Sequence, residues 1–413
     1  MEILIKDSLI VTPQGYFKGF IGIEKGKIKK IGKGKANIHG EIEIKNRVVT
    51  PGFVNLHTHV AMVLFRGIAE DVELEDWLKK IIWPIEDKLT SEDIYIASKF
   101  AFLEMLKSGT IFFNDMYIFP EATIRAMKEL GIKGVISNPV VDNYERIDGA
   151  IKLSKKYKNE KGIKIAIGPH SEYSCPVKIL KEVAQASKEY NLLVHFHYAE
   201  SKKLLQKVRK EIGENPLKVY DSFGFLNQRL IIAHAIHLTK EDISLLAKRK
   251  VNVAYNPSSN MKLSQGAAKI SLMKKMKINV GIGTDGAASN NSLDIIREAK
   301  QGVLLQKLFF GADSIKARDA FQMITQNGAR AIGFENEIKE NASANLVLFK
   351  PTEQMLPIFD PYASIIYSSS SKDVSEVIID GKIILKNGKI KNEQRIKKDF
   401  EKLANKFAPV AQW

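Results

Sequence analysis

Residues 53–62 read FVNLHTHVAM, an apolar run that ends in two histidines separated by one threonine. In a β-strand, side chains two residues apart lie on the same face, so His57 and His59 point the same way. Neutral imidazole nitrogens are good ligands for a divalent transition metal. The stretch therefore predicts a strand whose carboxyl end supplies two metal ligands.

Seven further short runs rich in β-branched apolar residues follow this one, separated by longer stretches with helical periodicity. One of these helices is predicted to begin with Ser91 as its N-cap and to stop at Gly109. Strands that are apolar on both faces and alternate with helices predict an α/β fold, a closed (βα)8 TIM barrel. The predicted strands are residues 47–59, 109–116, 134–141, 163–170, 192–200, 229–237, 251–258 and 278–286.

The two ends of the chain have a different pattern, with short alternating runs in place of helical periodicity. Near the C-terminus, Asp380-Gly381 and Asn387-Gly388 predict tight hairpin turns. We expect a composite β-sandwich domain with a C-terminal helix from residues 1–50 and 341–413, and the barrel from residues 51–340.

The composition fits a folded chain in a reducing compartment. With 413 residues, 45% of them hydrophobic and 27% charged, the chain can bury a large core. No run approaches 18 uninterrupted apolar residues, and MEILIKDSLI lacks the pattern of a signal peptide, so we expect no membrane partner. The lone cysteine, Cys175, excludes an internal disulfide. We therefore expect a cytoplasmic protein.

The formal net charge of +16 raises the question of a nucleic-acid partner. However, the lysines are scattered along the chain, as in KGKIKKIGKGK at residues 25–35, without interleaved aromatic residues. Such a surface is typical of the lysine-rich solvated faces of heat-adapted proteins. We expect no nucleic acid to bind.

Histidines gather at the carboxyl ends of the predicted strands, the rim of a barrel where chemistry takes place. Five of them are His57, His59, His170, His197 and His234. His197 is the natural third nitrogen ligand, and Asp285, at the end of strand eight, offers a carboxylate oxygen. With His57 and His59 they form a catalytic metal site with one position open for water.

Other residues near these ligands suggest how protons move. Glu200, three residues after His197, is suited to shuttle protons at a metal-activated water, and His234 is placed to face that water. His195 fits a core histidine and a functional one equally well, whereas His237 fits a structural role better. The end of strand four reads IGPHSEY, without a lysine that could bridge two metals, which favours a single ion.

Further motifs extend over nearly the whole chain: PGFVNLHTHVAMVLFRGIAED, WLKKIIWPIED, GPHSEYSC, HFHYAES, AHAIHL, NPSSNMKL and GTDGAASNNSLD. In these motifs the chain resembles the amidohydrolase superfamily. More narrowly, it is similar to the 5′-methylthioadenosine/S-adenosylhomocysteine deaminase family, in the branch related to chlorohydrolases and guanine deaminases.

The resemblance implies hydrolytic deamination of an adenine nucleoside at C6, with release of ammonia. It implies one divalent ion per subunit, usually zinc with iron as the alternative, held by His57, His59, His197 and Asp285. Glu200 would protonate the ring nitrogen, while His234 and Asp285 would orient the attacking water and take its proton. Glu86 would accept hydrogen bonds from the ribose hydroxyls, and His170 would contact the purine.

One position departs from the family pattern. Members that take S-adenosylhomocysteine can supply arginines for its amino-acid carboxylate, one of them at the end of strand three, where this chain has Asn138. Arg146 is the nearest remaining candidate, and a single arginine makes a weaker clamp than two. We therefore expect a neutral 5′ substituent, as in methylthioadenosine, 5′-deoxyadenosine or adenosine.

Three alternatives remain open from the sequence. The same scaffold can deaminate guanine or cytosine or dechlorinate a triazine, although Glu86 within WPIED favours a nucleoside. A catalytically silent scaffold would have lost ligands, whereas all four are present. A nucleic-acid-binding protein is supported by net charge alone. The resemblance also implies a homo-oligomer, either a dimer or a tetramer.

Overall fold

A computed structural model describes residues 1–68 and 70–407 of the chain. These residues form nineteen strands: β1 Ile3–Thr12, β2 Gly15–Glu24, β3 Lys27–Lys33, β4 Ile42–Lys45, β5 Val48–Pro51, β6 Phe53–His59, β7 Thr110–Met116, β8 Lys133–Ser137, β9 Pro139–Val140, β10 Ile163–Pro169, β11 Leu193–Tyr198, β12 Leu230–His234, β13 Asn252–Tyr255, β14 Asn279–Ile282, β15 Asp285–Gly286, β16 Leu346–Phe349, β17 Val374–Ile379, β18 Lys382–Lys386 and β19 Lys389–Ile390.

Helices follow most of the barrel strands. They are α1 Leu74–Asp76, α2 Trp83–Glu86, α3 Ser91–Lys107, α4 Pro120–Leu130, α5 Glu145–Lys156, α6 Val177–Tyr190, α7 Lys202–Ile212, α8 Pro216–Ser222, α9 Lys240–Lys248, α10 Pro257–Lys262, α11 Ile270–Lys275, α12 Ala287–Asn290, α13 Ile295–Phe310, α14 Ala317–Gln322, α15 Gly328–Ile332, α16 Pro361–Ala363 and α17 Glu393–Phe407. Short 3-10 segments lie at Val60–Phe65, Glu353–Met355 and Ser371–Asp373, and π segments at Trp77–Ile82, Met323–Asn327 and Ser364–Ser368.

The strands from β6 to β15 form a closed parallel barrel. Each neighbouring pair from β6 through β14 is parallel, and β15 closes the ring by pairing with β6. Every residue of β7, β8 and β12 is buried, as expected for strands covered on both faces. The third strand is interrupted between β8 and β9, and the eighth between β14 and β15. The predicted TIM barrel is confirmed.

The first predicted strand, residues 47–59, is two strands of two different sheets. β5 pairs with β1 and β16, whereas β6 belongs to the barrel. The division falls at Gly52, where a Cβ atom would lie 2.6 Å from the side chain of Ile111. An apolar run cannot reveal this division because both halves are buried.

The chain ends form one continuous nine-stranded sheet, in the order β19-β18-β17-β16-β5-β1-β2-β3 with β4 beside β1. The sheet curls until its far edge meets the segment before β16, since the Ile28 amide donates to the Ala342 carbonyl. The curl encloses a small core of isoleucines and other apolar residues, among them Ile5, Ile21 and Leu348. The two chain ends therefore form a single rolled sheet.

The C-terminal helix α17 packs along α3. The rings of Phe100 and Phe400 stack with centroids 3.9 Å apart, and Lys107 and Lys406 make ion pairs across the two helices. This matches the charged helix expected in the tail, although residues 408–413 lie outside the described part of the chain. Over the described ranges, no helix is long and apolar enough to cross a membrane.

Candidate metal centre and active site

Four predicted ligands meet at the carboxyl end of the barrel. His57 and His59 lie on β6, and the pairing of β15 with β6 sets Asp285 opposite Thr58, between the two histidines. His197 lies on β11, across the barrel. Strand register therefore brings together residues that are up to 228 positions apart, since 285 minus 57 is 228.

The donor atoms of these residues lie within a few ångströms of one another. The Oδ1 atom of Asp285 is 3.2 Å from the Nε2 atoms of both His57 and His59. The Nε2 atom of His197 is 3.3 Å from that of His59. Three imidazole nitrogens and one carboxylate oxygen are a donor set that suits a catalytic zinc-type ion.

Two of the imidazoles are oriented by carbonyl groups. The Nδ1 atom of His59 donates to the Met116 carbonyl and that of His197 to the His170 carbonyl, each at 2.6 Å. Donation from Nδ1 leaves the lone pair on Nε2, which is the tautomer that binds a metal. Two facing lone pairs repel unless a cation lies between them, so this geometry fits a divalent ion.

His57 is held by a further histidine, His195. Its Nδ1 atom is 2.7 Å from the Nε2 atom of His195, and its own Nε2 atom is buried without a hydrogen-bond partner in the described residues. Burial lowers the pKa of His57 to about 4, although Asp285 opposes the shift, so the ring is neutral and available as a ligand. His195, whose role the sequence left undecided, thus contacts the Nδ1 atom of the predicted ligand His57.

Asp285 is fixed by bonds that leave one oxygen toward the histidines. The hydroxyls of Ser259 and Ser289 donate to Oδ2 at 2.6 and 3.0 Å, and the Gly286 amide donates to Oδ1 at 2.8 Å. Burial acts to raise the pKa of Asp285, but the neighbouring histidines outweigh it and hold the pKa well below its usual range. The residue is a carboxylate at neutral pH.

Glu200 and His234 lie beside this cluster. Atoms of Glu200, His234 and Asp285 that could bind a metal all lie within 4.8 Å of one another. Burial raises the pKa of the Glu200 carboxyl, while His234 acts to lower it. His234 has a left-handed φ of 71° and contacts the Asn260 side-chain oxygen through Nδ1 at 2.9 Å. A raised carboxyl pKa beside a fixed imidazole suits proton transfer.

A cavity of about 500 Å³ opens directly onto these groups. This volume falls in the range of pockets that bind small ligands. Side chains from several loops form its walls, among them Met62, Trp77, Trp83, Tyr117, Val141 and Tyr173. Trp77 and Trp83 therefore lie in the cavity wall. His237, interpreted above as structural, is not among the lining residues.

The three residues expected to contact substrate also line the cavity. Burial raises the pKa of Glu86, and the neighbouring Tyr117 hydroxyl opposes this shift. Burial lowers the pKa of His170 to about 4, and its Nδ1 atom is 2.8 Å from the Ser174 hydroxyl. Arg146 is tied by one nitrogen to the Pro139 carbonyl, which restricts where its guanidinium can reach.

Residues 48–384 match the family described as "Amidohydrolase family". The chain belongs to the amidohydrolase family. The 5-methylthioadenosine/S-adenosylhomocysteine deaminase 1 of Archaeoglobus fulgidus is 39% identical over 98% of both chains. The 5′-deoxyadenosine deaminase of Methanosphaera stadtmanae is 38% identical over 94% of both. The crystal structure of an adenosine deaminase from Xanthomonas campestris with bound zinc has a TM-score of 0.94 at 26% identity, covering 99% of each chain.

The amidohydrolase is thus a metal-dependent aminohydrolase with a site for a divalent ion. Several residues that complete this site escape analysis of the sequence alone. Ser259 and Asn260 lie in the NPSSNMKL motif, and Ser289 follows GTDG, but nothing in their spacing shows that the two serines contact Asp285 and that Asn260 contacts His234. Their location along the chain could have indicated them, because all three residues follow the end of a barrel strand, where functional residues of this fold lie.

Proposed function

We propose that this amidohydrolase deaminates an adenine nucleoside at C6, adding water and releasing ammonia. The observation that carries the proposal is that four candidate metal ligands, His57, His59, His197 and Asp285, lie together beside a buried acid, Glu200, at a cavity of about 500 Å³. We further propose zinc as the resident ion, held by His57, His59, His197 and Asp285, with iron as the alternative. The zinc-bound relative supports this choice.

The ion would supply one chemical effect: a divalent metal lowers the pKa of bound water to about 7 and makes hydroxide available at neutral pH. His234 and Asp285 would orient the attacking water and accept its proton, because both lie within 4.8 Å of the acid and of each other. The Asp285 carboxylate is ionised at neutral pH, so its oxygens can accept a hydrogen bond from that water.

Glu200 would deliver a proton to N1 of the purine ring as the new bond forms at C6. Its raised pKa keeps more of the carboxyl protonated near neutral pH than an exposed glutamate would be. The proton taken from water by His234 and Asp285 would pass to the amino nitrogen, and the C6 hydroxyl would return a proton to Glu200 as the C6–N bond breaks and ammonia leaves. The product keeps the sugar and carries an oxygen at C6.

Glu86 and His170 would set the position of the nucleoside. Glu86 would accept hydrogen bonds from the ribose hydroxyls, and His170 would contact the purine, since both side chains face the cavity. Arg146 is the one arginine of the cavity lining, and its bond to Pro139 uses part of its donor capacity. The wall nearby includes the apolar residues Pro139 and Val141, which supports a neutral 5′ substituent over a charged one.

The test is a comparison of kcat/KM, measured by ammonia release, for methylthioadenosine, 5′-deoxyadenosine, adenosine, S-adenosylhomocysteine, guanine, cytosine and a chlorotriazine. We expect the neutral adenine nucleosides to have the highest values, with S-adenosylhomocysteine lower. Turnover of guanine, cytosine or the triazine well above all of the nucleosides would contradict the proposal. A deaminase of those bases or a chlorohydrolase would then replace it.

We also propose that the chain acts as a dimer or tetramer. Exposed apolar side chains on the described surface support this, including Leu308 at 79% and Phe359 at 87% relative exposure. Sedimentation equilibrium tests it, and a monomer at micromolar concentration would contradict it.

A further inference from the structure

Glu172 is a buried carboxyl that the proposed mechanism does not use. It lies in the turn after β10, two residues beyond His170, and is 5% exposed. No lysine, arginine or histidine in the described residues forms an ion pair with it. Burying a carboxyl group without a cationic partner is energetically unfavourable, so the hydrogen bonds of Glu172 indicate what stabilises it there.

Within residues 1–68 and 70–407, the Glu172 side chain makes one hydrogen bond to the backbone of another residue, and that residue lies in the segment that carries Glu200. The Oε1 atom of Glu172 accepts a hydrogen bond from the Ala199 amide at 3.0 Å. Ala199 is fully buried and has a left-handed φ of 55°, a conformation that residues with a Cβ rarely adopt. Without Glu172, this amide would be buried and unpaired.

The strained peptide also connects to His234. The Ala199 carbonyl accepts hydrogen bonds from the amides of Ile236 and His237 at 3.1 and 3.0 Å. Ala235 has a left-handed φ of 52°, next to His234 at 71°. Glu200 and His234, the two proposed proton-transfer residues, are therefore each adjacent to an alanine in the left-handed conformation. The two turns are joined by hydrogen bonds to the Ala199 carbonyl.

We propose that Glu172 is a positioning residue: by accepting the Ala199 amide hydrogen, it holds that residue in the left-handed conformation that directs Glu200 into the active site. This inference rests on the proposed function, because it assigns Glu172 a role through the proton donor. Strain that persists at a functional site must be held by surrounding contacts, and this hydrogen bond is one of them.

The ionisation of Glu172 is consistent with this role. Burial raises its pKa to about 8, the Glu200 carboxylate adds to the rise, and the backbone amides of Glu172 and Ala199 oppose it. A protonated carboxyl still accepts a hydrogen bond through its carbonyl oxygen. Glutamine offers the same acceptor at the same reach, so it is the matched conservative replacement.

The experiment compares Glu172→Gln, Glu172→Met and Glu172→Asp with the wild-type holoenzyme. Methionine has a similar size but no oxygen to accept the Ala199 amide hydrogen. Aspartate is one methylene shorter, so its carboxylate lies farther from that amide. We expect Glu172→Gln to keep kcat within about threefold, and the other two variants to lose about 10- to 100-fold in kcat with KM within about twofold. Rates are divided by the concentration of folded, metal-loaded enzyme and measured well below its Tm. A loss of stability is then not mistaken for a loss of positioning. Unchanged kcat in both Met and Asp variants would overturn the inference.

A double-mutant cycle sharpens the test. If Glu172 acts through Glu200, then adding Glu172→Met to Glu200→Gln should lower the residual kcat by less than about twofold. A loss equal to that of Glu172→Met alone would show that Glu172 acts elsewhere and would overturn the inference. If Glu200→Gln itself retains full turnover, the proposed function fails instead, so the two failures are distinguishable.

Discussion

Each histidine of the proposed metal site uses its Nδ1 atom for a contact within the protein. His59 and His197 use Nδ1 for carbonyl groups, and His57 uses Nδ1 for His195. The Nε2 atoms of His57 and His59 then face the Asp285 carboxylate, and that of His197 faces His59. Fixing the tautomer in this way removes the cost of reorienting the rings when an ion binds. The sequence predicts His57 and His59 as ligands from their spacing and His197 and Asp285 from their places on predicted strands five and eight. It could not assign the hydrogen-bond partners of the histidines, which come from other parts of the barrel.

Glu200→Gln tests the proton donor. We expect kcat to fall about 1,000-fold, within the range for loss of a general acid, while the metal content stays unchanged. Because burial raises the Glu200 pKa and the protonated form is the donor, the wild-type kcat/KM should fall as the pH rises through that pKa. Glu211→Gln makes the same chemical change on an exposed face of α7 and should leave kcat unaltered. Near-normal turnover in Glu200→Gln would remove the residue from this role.

Glu86→Ala tests the ribose contact. Loss of a hydrogen bond to a charged group is worth about 1.5 to 3 kcal/mol, so kcat/KM for adenine nucleosides should fall roughly 10- to 100-fold. Any deamination of free adenine should change by less than about twofold, since the base has no ribose. Steady-state assays with both compounds measure the difference. An equal loss for nucleoside and base would contradict the assignment.

The N-terminus of α3 shows how side chains near in sequence determine where a helix begins. The predicted cap of the first long helix was Ser91, and this prediction is wrong, because Thr90 is the N-cap. The Thr90 hydroxyl accepts from the Asp93 amide, and Asp93 accepts in return from the Thr90 amide. Aspartate three residues after Thr90 was the available signal, since this spacing forms a capping box.

Because Thr90 is the N-cap of α3, substitutions of Thr90 and of its neighbour Ser91 should differ in their effect on stability. Thr90→Ala should lower the free energy of unfolding by about 1 kcal/mol, the usual cost of losing an N-cap side chain. Ser91→Ala, one residue away, should change it by less than about 0.5 kcal/mol because Ser91 is an exposed first-turn residue. Urea unfolding monitored by circular dichroism measures both. The reverse order of effects would contradict the cap.

At the scale of the whole molecule, the barrel was predictable because its strands are buried on both faces and have a distinctive apolar pattern. The boundary at Gly52 and the breaks in the third and eighth strands were not, since they depend on contacts such as Gly52 against Ile111. Likewise, the left-handed turns at Ala199 and His234 follow from tertiary hydrogen bonds. Local sequence carries no signal for these bonds.

Glu298 on α13 predicts how stability varies with pH. The carboxyl is 1% exposed and accepts hydrogen bonds from the Ser258 amide and hydroxyl and from Asn290. Burial raises its pKa from 4.5 to about 7 against these bonds. The folded state therefore holds the proton more tightly than the unfolded state, and its stabilising contribution is lost as the pH rises from 4.5 to 7.

Glu298→Gln removes this titration while keeping a neutral side chain of the same size. We expect equal free energies of unfolding for variant and wild type near pH 4.5, and a variant more stable by about 3 kcal/mol above pH 8. Chemical denaturation of both proteins at several pH values measures the difference. A constant difference across this range would contradict the raised pKa.

The most direct test of the metal-dependent deaminase is a titration of the chelator-treated protein with zinc, following ammonia release from methylthioadenosine. If His57, His59, His197 and Asp285 hold one ion, as we propose, the rate should rise linearly and reach its plateau at one zinc per chain. Full activity without bound metal, or a plateau only at two ions per chain, would contradict the account.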